Sequence, residues 1–156
     1  MKKFKKDTFT ISIIIIGILA AFTIFLPTME FPNSETSFAG YELVLGIEFV
    51  NLGIWASGYI NFSFLGIIAY LLPIAAVLSV VFIKKGYLIA ILLFASSAIL
   101  LFLMPEYIKT TVTIFNTETE IEIDWVNLYG LILAQSMAII GLLLSLIKAV
   151  KFPNTN

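Results

Sequence analysis

The segment "TVTIFNTETEIEIDW", residues 111–125, lies between two long runs of almost unbroken apolar sequence. In its second half acidic and apolar residues alternate, in the order Glu120, Ile121, Glu122, Ile123, Asp124 and Trp125. A period of two gives a β-strand one apolar face and one acidic face. Val112 and Ile114 alternate with polar residues in the same way, and a polar turn near residues 116–118 would join the two strands into an antiparallel hairpin.

This predicted hairpin needs other strands to cover its apolar face, because a lone hairpin is only marginally stable in water. The sequence offers "TMEF" at residues 28–31 and "YELVLGIEFV" at residues 41–50 as candidate strands. We therefore expect a small β-sheet that combines two distant parts of the chain, with Ile121, Ile123 and Trp125 pointing inward.

The overall composition indicates a membrane protein. Hydrophobic residues make up 60% of the chain and charged residues 12%, and the mean hydropathy is +1.06. Soluble domains are typically about 45–50% apolar and about 25% charged. The sequence therefore predicts an integral membrane protein.

Four apolar segments of 19 to 22 residues contain no charged residue, at residues 8–26, 62–83, 86–104 and 128–147. Each is long enough, as a helix, to cross a hydrocarbon core of about 30 Å. The first run exceeds the apolar core of a signal peptide, so we expect an uncleaved helix. The predicted fold is a single all-α membrane domain over residues 1–156, a bundle of four transmembrane helices with a small extracytoplasmic β-sheet or hairpin cap formed by loops 27–61 and 105–127.

The lysines predict the orientation of these helices. One side of the predicted membrane carries Asp7 and eight lysines, which are Lys2, Lys3, Lys5, Lys6, Lys84, Lys85, Lys148 and Lys151. The other side carries Lys109 and nine acidic residues. Because basic flanks are retained in the cytoplasm, we expect a multi-pass plasma-membrane protein with both termini cytoplasmic.

The few polar and small residues within the apolar runs suit helix packing. Small residues are spaced four apart at the pairs Gly17 and Ala21, Ala75 and Ser79, Ala134 and Ala138, and Gly141 and Ser145. This spacing puts both members on one helix face, where neighbouring backbones can approach closely. Pro73 predicts a kink with a freed carbonyl, and we expect Gln135 to form an interhelical hydrogen bond.

The composition removes several kinds of chemistry. The chain has no histidine, cysteine or arginine, and these supply the commonest general bases, thiol nucleophiles and bidentate phosphate ligands. We predict no enzymatic activity, no cofactor and no nucleic-acid partner. The acidic residues Glu118, Glu120, Glu122 and Asp124 could offer oxygen ligands to a hard cation such as Ca²⁺, but their spacing matches no dedicated calcium loop, and a solvated strand face explains the pattern more simply.

The tripeptide Gly53-Ile54-Trp55 resembles the Gly-Leu-Trp signature of claudin-like four-span proteins, which are helical bundles capped by a small outer sheet. The resemblance covers three residues and the predicted topology. Those proteins follow the signature with a cysteine pair and this chain has no cysteine, so the resemblance does not imply a barrier or paracellular pore function.

Two functional hypotheses are favoured over a third, a membrane-embedded enzyme that uses outer carboxylates such as Glu106 or Asp124. The first is a non-catalytic membrane protein that acts through lateral or extracytoplasmic protein contacts, with a membrane-protein partner or a second copy of itself, for example as an accessory subunit of a larger assembly. The alternative is a small-solute channel or transporter component. Ion-coupled transport is the less favoured form of this alternative, because the apolar runs contain no ionisable residues.

Overall fold

The computed structural model describes residues 8–151, so Lys2, Lys3, Lys5, Lys6 and Asp7, which contributed to the predicted orientation, lie outside the described residues. The chain is about 60% helical with 20% strand, and the strands form two antiparallel sheets of three and four strands. The prediction of an all-α protein is therefore wrong. The loops between the apolar runs contain enough alternating and β-branched sequence to build two separate sheets.

The strands of both sheets lie in the two segments that separate the long helices. Long helices are α1 (Thr8–Phe22), α3 (Phe64–Phe82), α4 (Gly86–Phe102) and α6 (Tyr129–Lys151); short ones are α2 (Gly40–Leu45) and α5 (Met104–Tyr107). The strands are β1 (Pro27–Glu30), β2 (Ser37–Ala39), β3 (Ile47–Asn51), β4 (Ala56–Ile60), β5 (Thr110–Ile114), β6 (Thr117–Ile121) and β7 (Val126–Asn127). A 3₁₀ turn, Thr23–Phe25, extends α1.

Within residues 8–151, three helical segments are long and apolar enough to cross a membrane, namely Thr8–Phe25, Phe64–Phe82 and Tyr129–Lys151. The predicted bundle of four spanning helices is therefore wrong in its count. The apolar helix Gly86–Phe102 is shorter because the chain leaves the helix at Leu103 and Pro105 follows. Proline has no N–H with which to continue the helical hydrogen-bond pattern.

The four long helices nevertheless pack side by side, since α3 contacts α4, α4 contacts α6, and α1 contacts both α6 and α3. Phe94 on α4 is fully buried at the centre of this packing. A Cβ added at Gly141 would lie 2.5 Å from the Phe94 ring, and one added at Gly17 would lie 3.3 Å from it. The ring therefore occupies space that the two glycines leave open.

Two prolines shape the helices, and each leaves one backbone carbonyl without its usual donor. In a regular helix Ala69 O would accept from residue 73 and Leu101 O from residue 105, but both positions are proline. Ser97 Oγ on α4 donates instead to Ala69 O at 2.8 Å, and Gln135 Nε2 on α6 donates to Leu101 O at 3.2 Å. Gln135 thus forms an interhelical hydrogen bond.

The two sheets join distant parts of the chain. In the three-stranded sheet the order is β2-β1-β7, and in the four-stranded sheet it is β3-β4-β5-β6, with all pairs antiparallel. Strand β1 contains the first three residues of the predicted "TMEF" segment, and Phe31 lies just after the strand. The predicted strand at residues 41–50 divides into helix α2 and strand β3, because Gly46 adopts φ 83°, a left-handed conformation that suits glycine and ends the helix.

The opening segment forms a tighter hairpin than its sequence pattern predicted. Phe115 and Asn116 form the turn between β5 and β6, with φ values of 48° and 64°, as in two-residue type I′ turns. The last ladder pair is Thr110 with Ile121, and the chain then turns so that Trp125 N donates to Ile123 O at 2.9 Å. The strand therefore ends before Trp125, and the predicted inward position of Ile121 is wrong, since this side chain is 43% exposed.

Candidate binding groove

A groove of about 700 Å³ lies where the chain after β6 diverges from the chain before β5. One wall is formed by Pro105, Glu106, Ile108 and Lys109, and the other by Glu120, Ile121, Glu122, Ile123, Asp124 and Trp125. We call this the acidic groove. The first set lies in α5 and the two residues after it, and the second set lies at the end of β6 and in the segment that follows. The side chains are therefore positioned at the open end of the β5–β6 hairpin.

The predicted acidic set is divided by the fold. Glu120, Glu122 and Asp124 line the acidic groove, whereas Glu118 does not. Glu106, which the alternating pattern does not include, completes the lining acids. All of these carboxylates are exposed, and within residues 8–151 no group of three or more such side chains is close enough to hold a metal ion. The alternation could not identify Glu106 because that residue lies on a different element.

Lys109 is the only basic residue among the lining residues, and it is paired. Its Nζ lies 3.1 Å from Glu120 Oε2, and both side chains are 63% exposed. Exposed ion pairs of this kind contribute little to stability, typically less than about 1 kcal/mol. The pair can therefore exchange partners readily, and Glu106, Glu122 and Asp124 keep the groove negatively charged.

Trp125 is one of the residues that line the groove. It is only 9% exposed, its ring stacks on Phe31 at a centroid distance of 5.1 Å, and it meets Phe38 edge-on at 6.0 Å. Its indole Nε1 is buried and has no hydrogen-bond partner among the described residues. An unsatisfied buried donor costs about 1–3 kcal/mol.

Behind the groove, two further polar groups are buried without partners in the described part of the chain. These are the Tyr107 hydroxyl and Thr110 Oγ1. Burial raises the pKa of Tyr107 above its usual value, and the neighbouring Tyr70 raises it further. Tyr107 therefore stays neutral at physiological pH, because its raised pKa holds the proton on the hydroxyl.

A second surface feature lies at the far end of the four-stranded sheet. The β3–β4 turn and the β5–β6 turn are adjacent there: Phe115 N donates to Trp55 O at 3.3 Å, and the two rings meet edge-on at 5.5 Å. Leu52, Ile54, Trp55 and Phe115 are 64%, 78%, 62% and 67% exposed. We call these four residues the tip patch, which contains no charged residue.

The small residues predicted for helix packing lie mainly inside the molecule. Buried members are Gly17, Ser79, Ala134, Ala138, Gly141 and Ser145, while Ala21 and Ala75 are half-buried. A Cβ added at Gly17 would come within 2.4 Å of Val77 on α3. These positions therefore face neighbouring helices of the same chain.

Comparison with known proteins gives no relative from which to transfer a function. No protein-family model matches the chain, and no match was found among curated proteins or solved structures.

Proposed function

We propose that this chain is a non-catalytic membrane protein that acts through extracytoplasmic protein contacts, for example as an accessory subunit of a larger membrane assembly or as a homo-oligomer. It needs no cofactor and binds no nucleic acid. Lateral contacts through the small-residue faces are a weaker form of the same proposal, because those faces are occupied by neighbouring helices within the chain.

The observation that carries the proposal is the tip patch. Trp and Phe are enriched where protein interfaces have their strongest contacts, and exposed clusters of large apolar side chains mark interaction sites. Strand β4 runs from the tip toward α3, which begins at Phe64, and five strand residues extend roughly 17 Å. The patch is thus held away from the helices on a paired, four-stranded support.

The proposed location is the plasma membrane, with the Lys84–Lys85 turn and both termini in the cytoplasm and the two sheets outside. The contacts of Lys148 indicate that the basic ends of the helices lie together. Its Nζ donates to Thr10 Oγ1 near the start of α1 and lies 5.9 Å from the centre of the Tyr87 ring near the start of α4. Basic residues at one end favour retention of that end in the cytoplasm.

The tip patch can be tested by site-specific crosslinking in cells, with a photoreactive residue at position 54. We expect a discrete crosslinked species. For the Ile54→Ser/Phe115→Ser variant the photoreactive residue is placed at position 52 in both parent and variant, and the crosslink should form in the parent and disappear in the variant. The control is Val126→Ser, which alters an exposed apolar residue of the other sheet and should leave the crosslink intact. A protein that stays monomeric and uncrosslinked in cells and in mild detergent would refute the proposal.

The alternative, a small-solute channel or transporter component, requires a path between the helices. Phe94, Ile13, Ala76 and Ala90 form a packed apolar cluster there, which favours the contact proposal. Reconstitution into liposomes distinguishes the two, because solute flux through the purified protein would reverse this order.

A further inference from the structure

The end of the helix bundle opposite the two sheets is positively charged in the described part of the chain. Its charged residues are Lys84, Lys85, Lys148 and Lys151, which we call the basic end, whereas all nine described acidic residues lie in residues 27–61 and 105–127, beyond the other ends of the helices. We propose that the basic end binds an anionic phospholipid, because clustered lysines at a membrane surface attract negative headgroups. This inference goes beyond the proposed function, which concerns the tip patch.

The contacts of Lys148 bring the other lysines of the basic end to one level of the bundle. Its side chain is only 7% exposed, and its Nζ contacts Thr10 on α1 and lies 5.9 Å from the centre of the Tyr87 ring on α4. Tyr87 comes two residues after Lys85, and Lys151 lies three residues beyond Lys148, about 4.5 Å along the helix axis. The exposed lysines of α6 and of the α3–α4 turn are therefore near the same plane.

The turn that carries Lys84 and Lys85 is fixed by backbone contacts. Gly86 N donates to Ile83 O at 3.0 Å, and Ser79 Oγ lies 3.0 Å from Gly86 O. A Cβ added at Gly86 would lie 1.8 Å from Ser79 O, so this close approach requires glycine. The two lysines therefore extend from an ordered backbone, and less conformational entropy is lost on binding than with a flexible tail.

An apolar groove ends at one of these lysines. It has a volume of about 240 Å³ and lies on α6, where Leu146, Ile147 and Val150 line it together with Lys151. A phospholipid has the matching division, with a charged phosphate next to apolar acyl chains. Inorganic phosphate and phosphosugars share the charge but have no apolar chain. The combination of an ammonium group with an apolar groove therefore favours a lipid over a soluble anion.

The test uses the full chain in dodecyl maltoside, a neutral detergent, and native mass spectrometry with phosphatidylglycerol and phosphatidylcholine of the same acyl chains. We expect phosphatidylglycerol to bind more tightly, and Lys151→Gln to weaken its binding about fivefold, the effect of one lysine near a lipid surface. The matched control, Lys109→Gln, removes one lysine from an exposed position beside the sheets and should change the dissociation constant by less than about twofold.

The contribution of the α3–α4 turn is tested with Lys84→Gln/Lys85→Gln/Lys151→Gln, which should bind the two lipids equally. All three side chains are exposed, so we expect the variant to fold, and circular dichroism checks this. The single variant Lys151→Gln provides an independent test if the triple variant does not fold.

The apolar part is tested with Leu146→Ser/Val150→Ser. This pair should weaken the binding of both lipids roughly fourfold, the equivalent of about one buried CH₂ group. The control, Ile139→Ser/Leu143→Ser, changes two exposed apolar residues of the same helix that do not line the groove, and should change both dissociation constants by less than about twofold.

Four results would overturn the inference. They are equal affinity for the two lipids, equal weakening by Lys109→Gln and Lys151→Gln, equal effects of the two serine pairs, and displacement of phosphatidylglycerol by glycerol 3-phosphate at the same concentration, which would indicate a site for soluble phosphate compounds. The tip crosslink should form normally in Lys151→Gln, and Ile54→Ser/Phe115→Ser should bind phosphatidylglycerol normally. Failure of the lipid inference and failure of the proposed function are therefore distinguishable.

Discussion

At the residue scale, the helix interior shows how a local defect is corrected by a neighbouring element. Pro73 and Pro105 can be found in the sequence, and each identifies a carbonyl four residues earlier that loses its donor. The sequence could suggest Gln135 as an interhelical donor because it is the only carboxamide in an apolar run. It could not distinguish Ser97 from the adjacent Ser96, because the choice depends on how α4 is rotated against α3.

The Ser97 hydrogen bond makes a testable prediction about stability. Ser97→Ala leaves Ala69 O without a donor, and we expect a loss of about 0.5–1.5 kcal/mol in the free energy of unfolding. Ser96→Ala, at an exposed position on the same helix, is the matched control and should have little effect. The measurement is denaturant-induced unfolding in a defined detergent.

The same pair of residues permits a double-mutant cycle. In Pro73→Ala the backbone N–H of residue 73 can donate to Ala69 O, so Ser97→Ala should cost less in that background than in the parent. An equal cost in both backgrounds would show that Ser97 contributes through packing and not through the carbonyl freed by proline.

Tyr107 makes a second prediction at this scale, concerning pH. Burial raises the pKa of its hydroxyl in the folded state, while in the unfolded state it returns to about 10. The folded state therefore holds the proton more strongly. Its contribution to stability is complete below about pH 10 and is lost progressively as the pH rises further. Unfolding of Tyr107→Phe should depend less steeply on pH above 10 than unfolding of the parent, with Tyr59→Phe as the control on an exposed strand position.

At the element scale, the segment after β5 shows why an alternating pattern predicts a strand better than it predicts which face is buried. Residues 117–121 are exposed on both faces: β6 is an edge strand, and within residues 8–151 no layer buries either of its faces. Burial begins only after the ladder ends, where Ile123 and Trp125 turn toward the cluster that contains Phe38 and Met29. The partners of Trp125 come from the β1–β2 region, far away in the sequence, so periodicity could not identify them.

This arrangement predicts different responses on the two sides of the segment. Ile123→Asp places a charge against the apolar cluster, and burying a charge without a partner is costly. Glu122→Gln changes an exposed side chain and should alter stability by no more than about 0.5 kcal/mol. We expect Ile123→Asp to increase protease cleavage within residues 105–127, with membrane insertion unchanged, and Glu122→Gln to do neither. Equal protease resistance of both variants would show that the segment does not depend on packing by Ile123.

At the scale of the whole molecule, hydropathy predicts where apolar helices occur but not how the remaining chain folds. Helix α3, for example, lies inside the apolar run 62–83, whereas α6 continues past its run to Lys151 and α4 stops at Phe102. Both sheets combine strands from the two interhelical segments: β7 pairs with β1, and β5 pairs with β4. Such pairings depend on the positions of distant elements, whereas the acidic groove is lined by one continuous segment, residues 105–125.

The orientation of the molecule is the prediction with the widest consequences, because the tip patch can meet extracytoplasmic partners only if both sheets lie outside. The chain has no cysteine, so single introduced cysteines can be labelled without background. Ser34→Cys, in the β1–β2 loop, and Thr117→Cys, at the start of β6, occupy exposed positions and should react with a membrane-impermeant thiol reagent applied to intact cells. Lys85→Cys, in the exposed turn between α3 and α4, should react only after the cells are opened. Labelling of Lys85→Cys but not of the other two in intact cells would place both sheets in the cytoplasm, and the proposed contact through the tip patch would then have to be with a cytoplasmic partner.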